Sequence, residues 1–244
     1  MHDVLIVGGG VAGLSAAIFT GRAGLDSLVV SADESILARN ASLENYPGFP
    51  AGIDARTYLD MIRDQAERAG CAFESDRIRA VAARVESDFA AGFDVRGEDG
   101  AYESRRVIAA SWPDSEFLTP LDVGRIQRGS KYVVDVDESG RTAVDGVYAA
   151  GRVAGEPHQT IVAAGHGARV ALAAIQDSET PFYHDWVAPE GYFTGRDRAV
   201  PPACEEIDDA ERRERDERAR AALRSYLADP NDRNPTMHPS VERD

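Results

Sequence analysis

The feature that most limits this chain lies near its start. Val4-Leu5-Ile6-Val7 is a continuous apolar run of the buried-strand type, and Gly8-Gly9-Gly10-Val11-Ala12-Gly13 follows without a break. Leu14, Ala17, Ile18 and Ala23 then recur at helical spacing up to Gly24, and Ser27-Leu28-Val29-Val30-Ser31 reads as a second strand. Strand, glycine-rich turn, helix and strand within about 30 residues make a β-α-β unit, whose turn spells G-x-G-x-x-G at Gly8, Gly10 and Gly13. The first glycine permits the tight turn, the second lets the backbone approach a diphosphate, and the third brings helix and strand close. Val11 and Ala12 open the helix, where free N–H groups and the positive dipole end attract phosphate. The pattern predicts a dinucleotide-binding α/β fold. The acidic ribose ligand usual at the end of the second strand is replaced by Ser31, with Asp33 and Glu34 just beyond; the Ser31 hydroxyl can still bond a ribose.

Further along, Asn45-Tyr46-Pro47-Gly48-Phe49-Pro50 is loop chemistry, and Asp54 reads as the N-cap of a helix stopped by Gly70. Ile78–Val85, Phe89–Val95 and Tyr102–Ala109 read as an antiparallel β-meander, and 111–130 as a connecting loop. Two more strands, Tyr132–Val136 and Gly146–Ala150, precede a helix from His158 to Ile175. Residues 181–203 are rich in aromatics and proline, 205–227 form a charged helix, and the last residues look frayed. The expected fold is a Rossmann-like parallel α/β domain with an inserted meander over 1–180, then a C-terminal helical extension over 181–244.

Charge narrows the partners. Of 244 residues, 27 are basic and 42 acidic, a formal charge of −15, and Lys131 is the one lysine. Nucleic acid and anionic membranes need a positive patch, so neither is expected as a partner. A surface so acidic and poor in lysine reads as adapted to high salt, where screening relieves its self-repulsion. No apolar run approaches the ~18 residues of a membrane span, and the early strand leaves no room for a signal peptide, so a cytoplasmic protein is expected. Cys71 and Cys204 lie far apart, with no zinc-type spacing, and no metal site is expected.

Three ordered motifs carry a resemblance. Asp3 to Ala17 resembles the FAD-binding start of low-molecular-weight thioredoxin reductases. Glu44-Asn45-Tyr46-Pro47-Gly48-Phe49-Pro50 is similar to a loop particular to that family. Thr142 to Ala174, with Gly146-Val147-Tyr148-Ala149-Ala150-Gly151, then Gln159-Thr160 and Ala163-Ala164-Gly165-His166-Gly167-Ala168, is similar to its C-terminal FAD segment. The resemblance implies FAD as cofactor. It places Asn45 against the flavin, Gly151 and Arg152 near the ribityl chain, and the Gln159 and Thr160 N–H groups at the pyrimidine edge. His158, beside that edge, is the one weak catalytic candidate.

The departures are equally informative. The family carries an NADPH domain with a redox C-x-x-C between these halves, whereas a bridge over 110–130 is too short for a domain. Arg152 stands where the family has an aspartate, and Ala109-Ala110-Ser111-Trp112 where it has an Ala-Thr-Gly turn. An arginine is donor-only and cannot accept from a ribityl hydroxyl, so Arg152 either pairs with the diphosphate or points away and leaves water in the gap. The expected function is therefore an FAD-dependent oxidoreductase supplied by another electron donor, such as a ferredoxin or other redox protein. The alternative is a non-catalytic FAD- or nucleotide-binding protein that engages a partner through its tail. The aromatics Phe182, Tyr183, Trp186, Tyr192 and Phe193 are expected to fold over the flavin or to join a homodimer.

Overall fold

The computed structural model describes residues 1–86, 89–238 and 240–241. The opening unit forms as β1 (Val4–Val7), α1 (Val11–Arg22) and β2 (Ser27–Val30), with the two strands parallel from Val4 opposite Ser27 to Val7 opposite Val30. Asp54 caps α2 (Ala55–Arg68) by accepting from the Arg56 and Thr57 N–H groups. Tyr58, Ile62 and Ala66 form the buried stripe of α2, and the chain returns as β3 (Ala72–Glu74) beside β2.

An antiparallel sheet follows: β4 (Ile78–Glu86), β5 (Phe89–Gly97) and β6 (Ala101–Ser104). The strand expected over Tyr102–Ala109 is two strands. The Ser104 hydroxyl donates to the Arg106 carbonyl at 2.6 Å where the chain changes sheets. Beyond it, β7 (Val107–Ala109), buried on both faces, enters the parallel sheet beside β1. The meander is tied by Asp76, whose carboxylate accepts from the N–H groups of Arg77, Glu98, Asp99 and Gly100 and from the Tyr102 hydroxyl. Burial alone would raise its pKa; these donors outweigh burial and hold it below the usual carboxylate range.

Residues 111–130 are more than a loop. They contain a 3-10 turn, Glu116–Leu121, and the strand β8 (Arg125–Arg128), which forms a hairpin with β9 (Lys131–Val134). Phe117, Leu118 and Leu121 are buried in the same cluster as Val81, Phe93 and Val95 of the meander. Next come β10 (Val147–Ala149), a 3-10 turn over Gly151–Ala154, and α3 (Thr160–Gln176) with Gln159 as N-cap.

The parallel sheet runs β10-β7-β1-β2-β3. Successive side chains point to opposite faces, so one strand feeds two cores. Val4, Ile6, Val29, Ile108 and Tyr148 meet the helical layer of α1, α2 and α3. Leu5, Val7, Leu28, Val30, Val107 and Val147 meet the meander. Each such Val, Leu or Ile contributes about 1.5–3 kcal/mol when fully buried, which fixes the strand register.

The C-terminal segment forms a parallel pair, β11 (Trp186–Pro189) and β12 (Cys204–Ile207), then α4 (Asp209–Leu227). The charged helix expected from residue 205 thus starts later, because 204–207 pair with β11. Both Asp185 oxygens accept from the Arg22 guanidinium, and Phe182 packs on the helical core. Arg22 is the last residue of α1, so this anchor lies ~18 Å along the helix from the glycine turn. The segment therefore does not cover the dinucleotide end, contrary to one of the two expectations for its aromatics. Where the sequence suggests fraying, the chain crosses back over α2: Asn231 Nδ2 donates to Thr57 Oγ1 at 3.0 Å, and Arg233 pairs with Asp60. The very end of that stretch, 239 and 242–244, lies outside the described residues, as do 87 and 88 in the meander. Among the described residues, no helix is long and apolar enough to cross a membrane.

Candidate functional site

The carboxyl ends of β1, β2 and β7 open into one cleft of about 490 Å³, closed on its far side by the turns that follow β10. At its near end Gly10 is the N-cap of α1, with extended backbone (φ −85°, ψ −176°), no side-chain cap and no acidic residue in the first turn. Val11 and Ala12 line the cleft there, so an uncapped helix N-terminus faces open space.

The motif glycines divide into two kinds. A Cβ on Gly8, whose φ is +117°, would come within 2.7 Å of the Ala110 carbonyl oxygen, and one on Gly13 would overlap the Gly8 carbonyl oxygen. Those two are required by the fold. A Cβ on Gly10 would meet only Ser35 Oγ, at 3.5 Å, an ordinary contact. Among the described residues nothing else crowds a side chain at position 10, and the position fronts the cleft.

Ser31 lies on the same wall, its hydroxyl donating to the Asp33 carbonyl at 3.3 Å. Asp33 is held by Arg77, which donates to both carboxylate oxygens at 2.8 and 2.7 Å. The far wall joins two distant motifs: Asn45 Nδ2 donates to Gln159 Oε1 at 2.9 Å, tying the proline-rich loop to the N-terminus of α3. Thr160 and His158 border the same space. Partial burial, then the charge of Arg152, pushes the His158 imidazole below its ordinary range, which favours its neutral form.

Arg152 stacks on Trp112, its guanidinium carbon 4.6 Å from the ring centroid, and both residues line the cleft. No carboxylate pairs with it among the described residues. Gly151 stands behind the wall. Its φ is +73°, its N–H donates to His166 Nδ1 at 2.9 Å, and a Cβ there would come within 2.7 Å of the Ala12 Cβ. The turn bearing Arg152 is thus pressed against the first turn of α1.

Gly8, Gly10, Val11, Ala12, Ser31, Asn45, Arg152, His158, Gln159 and Thr160 all border the cleft, while Gly13 and Gly151 act through backbone packing. Sequence reasoning missed Ser35, Arg77, Trp112 and the acceptor role of His166. Ser35 and Arg77 carry no motif signal; Trp112 stood in a departure from the family pattern without a partner to explain it.

These residues fit FAD. An uncapped helix N-terminus and an unpaired arginine suit the diphosphate, Gly10 leaves room for it, and a second helix N-terminus at Gln159–Thr160 suits an electron-rich ring edge. Comparison with known proteins agrees. The family model described as FAD binding domain matches residues 3–43. The chain is thus an FAD-binding α/β protein of Rossmann type.

Within that class, parts of the chain are similar to thioredoxin reductases. The chain is 32% identical over 120 residues to the bifunctional thioredoxin reductase/thioredoxin of Mycobacterium leprae, covering 48% of this chain and 25% of the relative. With the thioredoxin reductase of Aquifex aeolicus it shares 29% over 143 residues, 58% of this chain and 39% of the relative. The chain therefore spans about a quarter to two-fifths of the length of these relatives. The fold is similar to that of the atypical thioredoxin reductase TRi from Desulfovibrio vulgaris Hildenborough, with a TM-score of 0.61 at 21% identity, over 75% of this chain and 100% of that one.

Proposed function

We propose that this protein is an FAD-dependent oxidoreductase whose flavin is reduced by a separate donor and not through an NADPH domain of its own. The observation that carries the reading is the passage from β7 to β10. Its residues 110–146 form 3-10 and hairpin structure, and no second β-α-β unit with a G-x-G-x-x-G turn occurs among the described residues. The sequence also has no C-x-x-C; Cys71 and Cys204 are both free thiols, Cys71 buried with its pKa raised to about 11, chiefly by that burial. The two free thiols support a reducing, cytoplasmic location.

In this reading the first turn of α1, with Gly10 and Arg152, holds the diphosphate. Ser31 meets the adenosine ribose, and Asn45 with the N-terminus of α3 borders the flavin. When bound, FAD supplies reversible electron transfer. The chain's own contribution would be to bind and orient it: the dipole of α3 favours negative charge at the ring edge, and His158 would exchange a proton with solvent there. The test is anaerobic reduction of the FAD-loaded protein. NADPH should be a poor direct donor, and thioredoxin should not be reduced in a coupled assay; fast, saturable NADPH oxidation would overturn the proposal. A second reading, binding without turnover, rests on the exposed rings of Tyr183, Trp186 and Tyr192 in the C-terminal segment. A bound flavin that no mild donor reduces would favour it.

A further inference from the structure

In a chain of charge −15, residues 123–134 carry three cations and no carboxylate. Arg125, Arg128 and Lys131 all sit on the β8–β9 hairpin, with Arg128 directly opposite Lys131 across the strands. All three are exposed, and none forms an ion pair among the described residues. Elsewhere arginines are typically matched to carboxylates, as Arg22 is to Asp185, Arg77 to Asp33, Arg141 to Asp177 and Arg215 to Glu205. The same hairpin exposes Ile126 and Tyr132, at 44% and 52%. Its base is buried through Val133 and Val134, so the hairpin is firmly rooted. Exposed arginine, tyrosine and aliphatic side chains on a rigid element are the composition of an interface.

The hairpin's position gives that composition a use. Arg128 Nη1 donates to the Gly155 carbonyl at 2.9 Å, which seats the hairpin against the turn that carries Arg152 into the cleft. The hairpin and Arg152 thus lie on adjoining segments, with Glu156 the one acidic residue over 151–158. We infer that the β8–β9 hairpin docks the electron donor, and that this donor is a one-electron carrier protein with an acidic face. This rests on the proposed function and names the class of partner. Two reduced carriers each lose one electron; FAD gains two electrons and takes two protons from solvent. The net charge of −15 disfavours an acidic carrier over the rest of the surface as a whole, so the hairpin sets its orientation as well as its affinity. Exposed ion pairs of this sort weaken as salt rises, so reduction by the carrier should slow with increasing ionic strength.

The experiment uses the full FAD-loaded chain at the lowest salt that keeps it folded. Flavin bleaching is followed by stopped flow with two donors: a reduced acidic ferredoxin as the carrier, and photoreduced deazaflavin as a small donor. Arg125→Glu/Lys131→Glu should slow reduction by the carrier about tenfold or more while leaving FAD content and deazaflavin reduction unchanged. The milder Arg125→Gln/Lys131→Gln should shift the rate in the same direction by less. A control with the same charge change, Arg198→Glu/Arg224→Glu in the C-terminal segment, should stay within about twofold of the parent. Equal carrier rates in parent and hairpin variants, or equal losses in the control, would overturn the docking inference while the donor reading stood. A flavin reduced by deazaflavin but by no protein carrier would overturn both.

Discussion

Gly10 and Gly13 look equivalent in the motif, but the structure assigns them different work, and substituting each by alanine separates fold from ligand. At Gly10 the backbone is already extended, and the new methyl would sit an ordinary 3.5 Å from Ser35 Oγ. Replacing a glycine N-cap by alanine costs about 0.5–1 kcal/mol, and the reduced freedom of the unfolded chain returns about 0.4–1 kcal/mol, so apo stability should change by less than about 0.5 kcal/mol. FAD should nonetheless bind at least about 100-fold more weakly, a loss near 3 kcal/mol, because the methyl occupies the space through which the diphosphate approaches the backbone. At Gly13 the methyl would overlap the Gly8 carbonyl oxygen, which forces α1 away from β1. Overpacking of this kind costs about 1–3 kcal/mol or more, and at ~2–4 °C per kcal/mol the apo Tm should fall by roughly 2–12 °C. Thermal melts of the apo proteins and calorimetric titration with FAD read both quantities. A Gly10→Ala protein that binds FAD like the parent, or that melts as early as Gly13→Ala, would refute the division.

Three other outcomes follow from the same geometry. His166 accepts the Gly151 N–H in a buried site, and burial, its largest influence, depresses its pKa. A depressed histidine stabilises the fold fully above its unfolded pKa of about 6.5, and that stability is lost as pH falls through the folded value. His166→Gln, which keeps an acceptor, should lack this acid limb in a plot of Tm against pH; superimposable curves would show that His166 does not titrate with unfolding. Arg152→Ala should weaken FAD binding about tenfold and flatten its salt dependence, measured by titration at several ionic strengths, since one phosphate contact is lost. Truncation after Asp177 should leave the flavin spectrum unchanged, because residues 181–203 do not line the cleft; a shifted spectrum would restore the idea of an aromatic lid.

Much of this molecule is legible in the sequence because its signals are local. The β1-α1-β2 unit follows from an apolar run, three glycines and a helical stripe within one short stretch, and the Asp54 cap from a single side chain before an amphipathic pattern. What resists reading depends on distant partners. Val107–Ala109 looks continuous with the preceding meander strand, and only pairing with β1 and β10 moves it into the parallel sheet. Phe117, Leu118 and Leu121 have no strand or long-helix period, since a 3-10 turn buries them together against the meander. In the cleft, Asn45 and Gln159 were legible as separate motifs, but their hydrogen bond was not. Arg152 and Trp112 each stood out as an oddity, and their stacking accounts for both at once.

The most direct test of the central proposal is the visible spectrum of the FAD-loaded protein during anaerobic titration. The expected result is an oxidised flavin band that persists with excess NADPH and is fully lost on addition of two equivalents of a reduced one-electron carrier protein. Rapid, complete bleaching by NADPH alone, or a band that no donor removes, would contradict it.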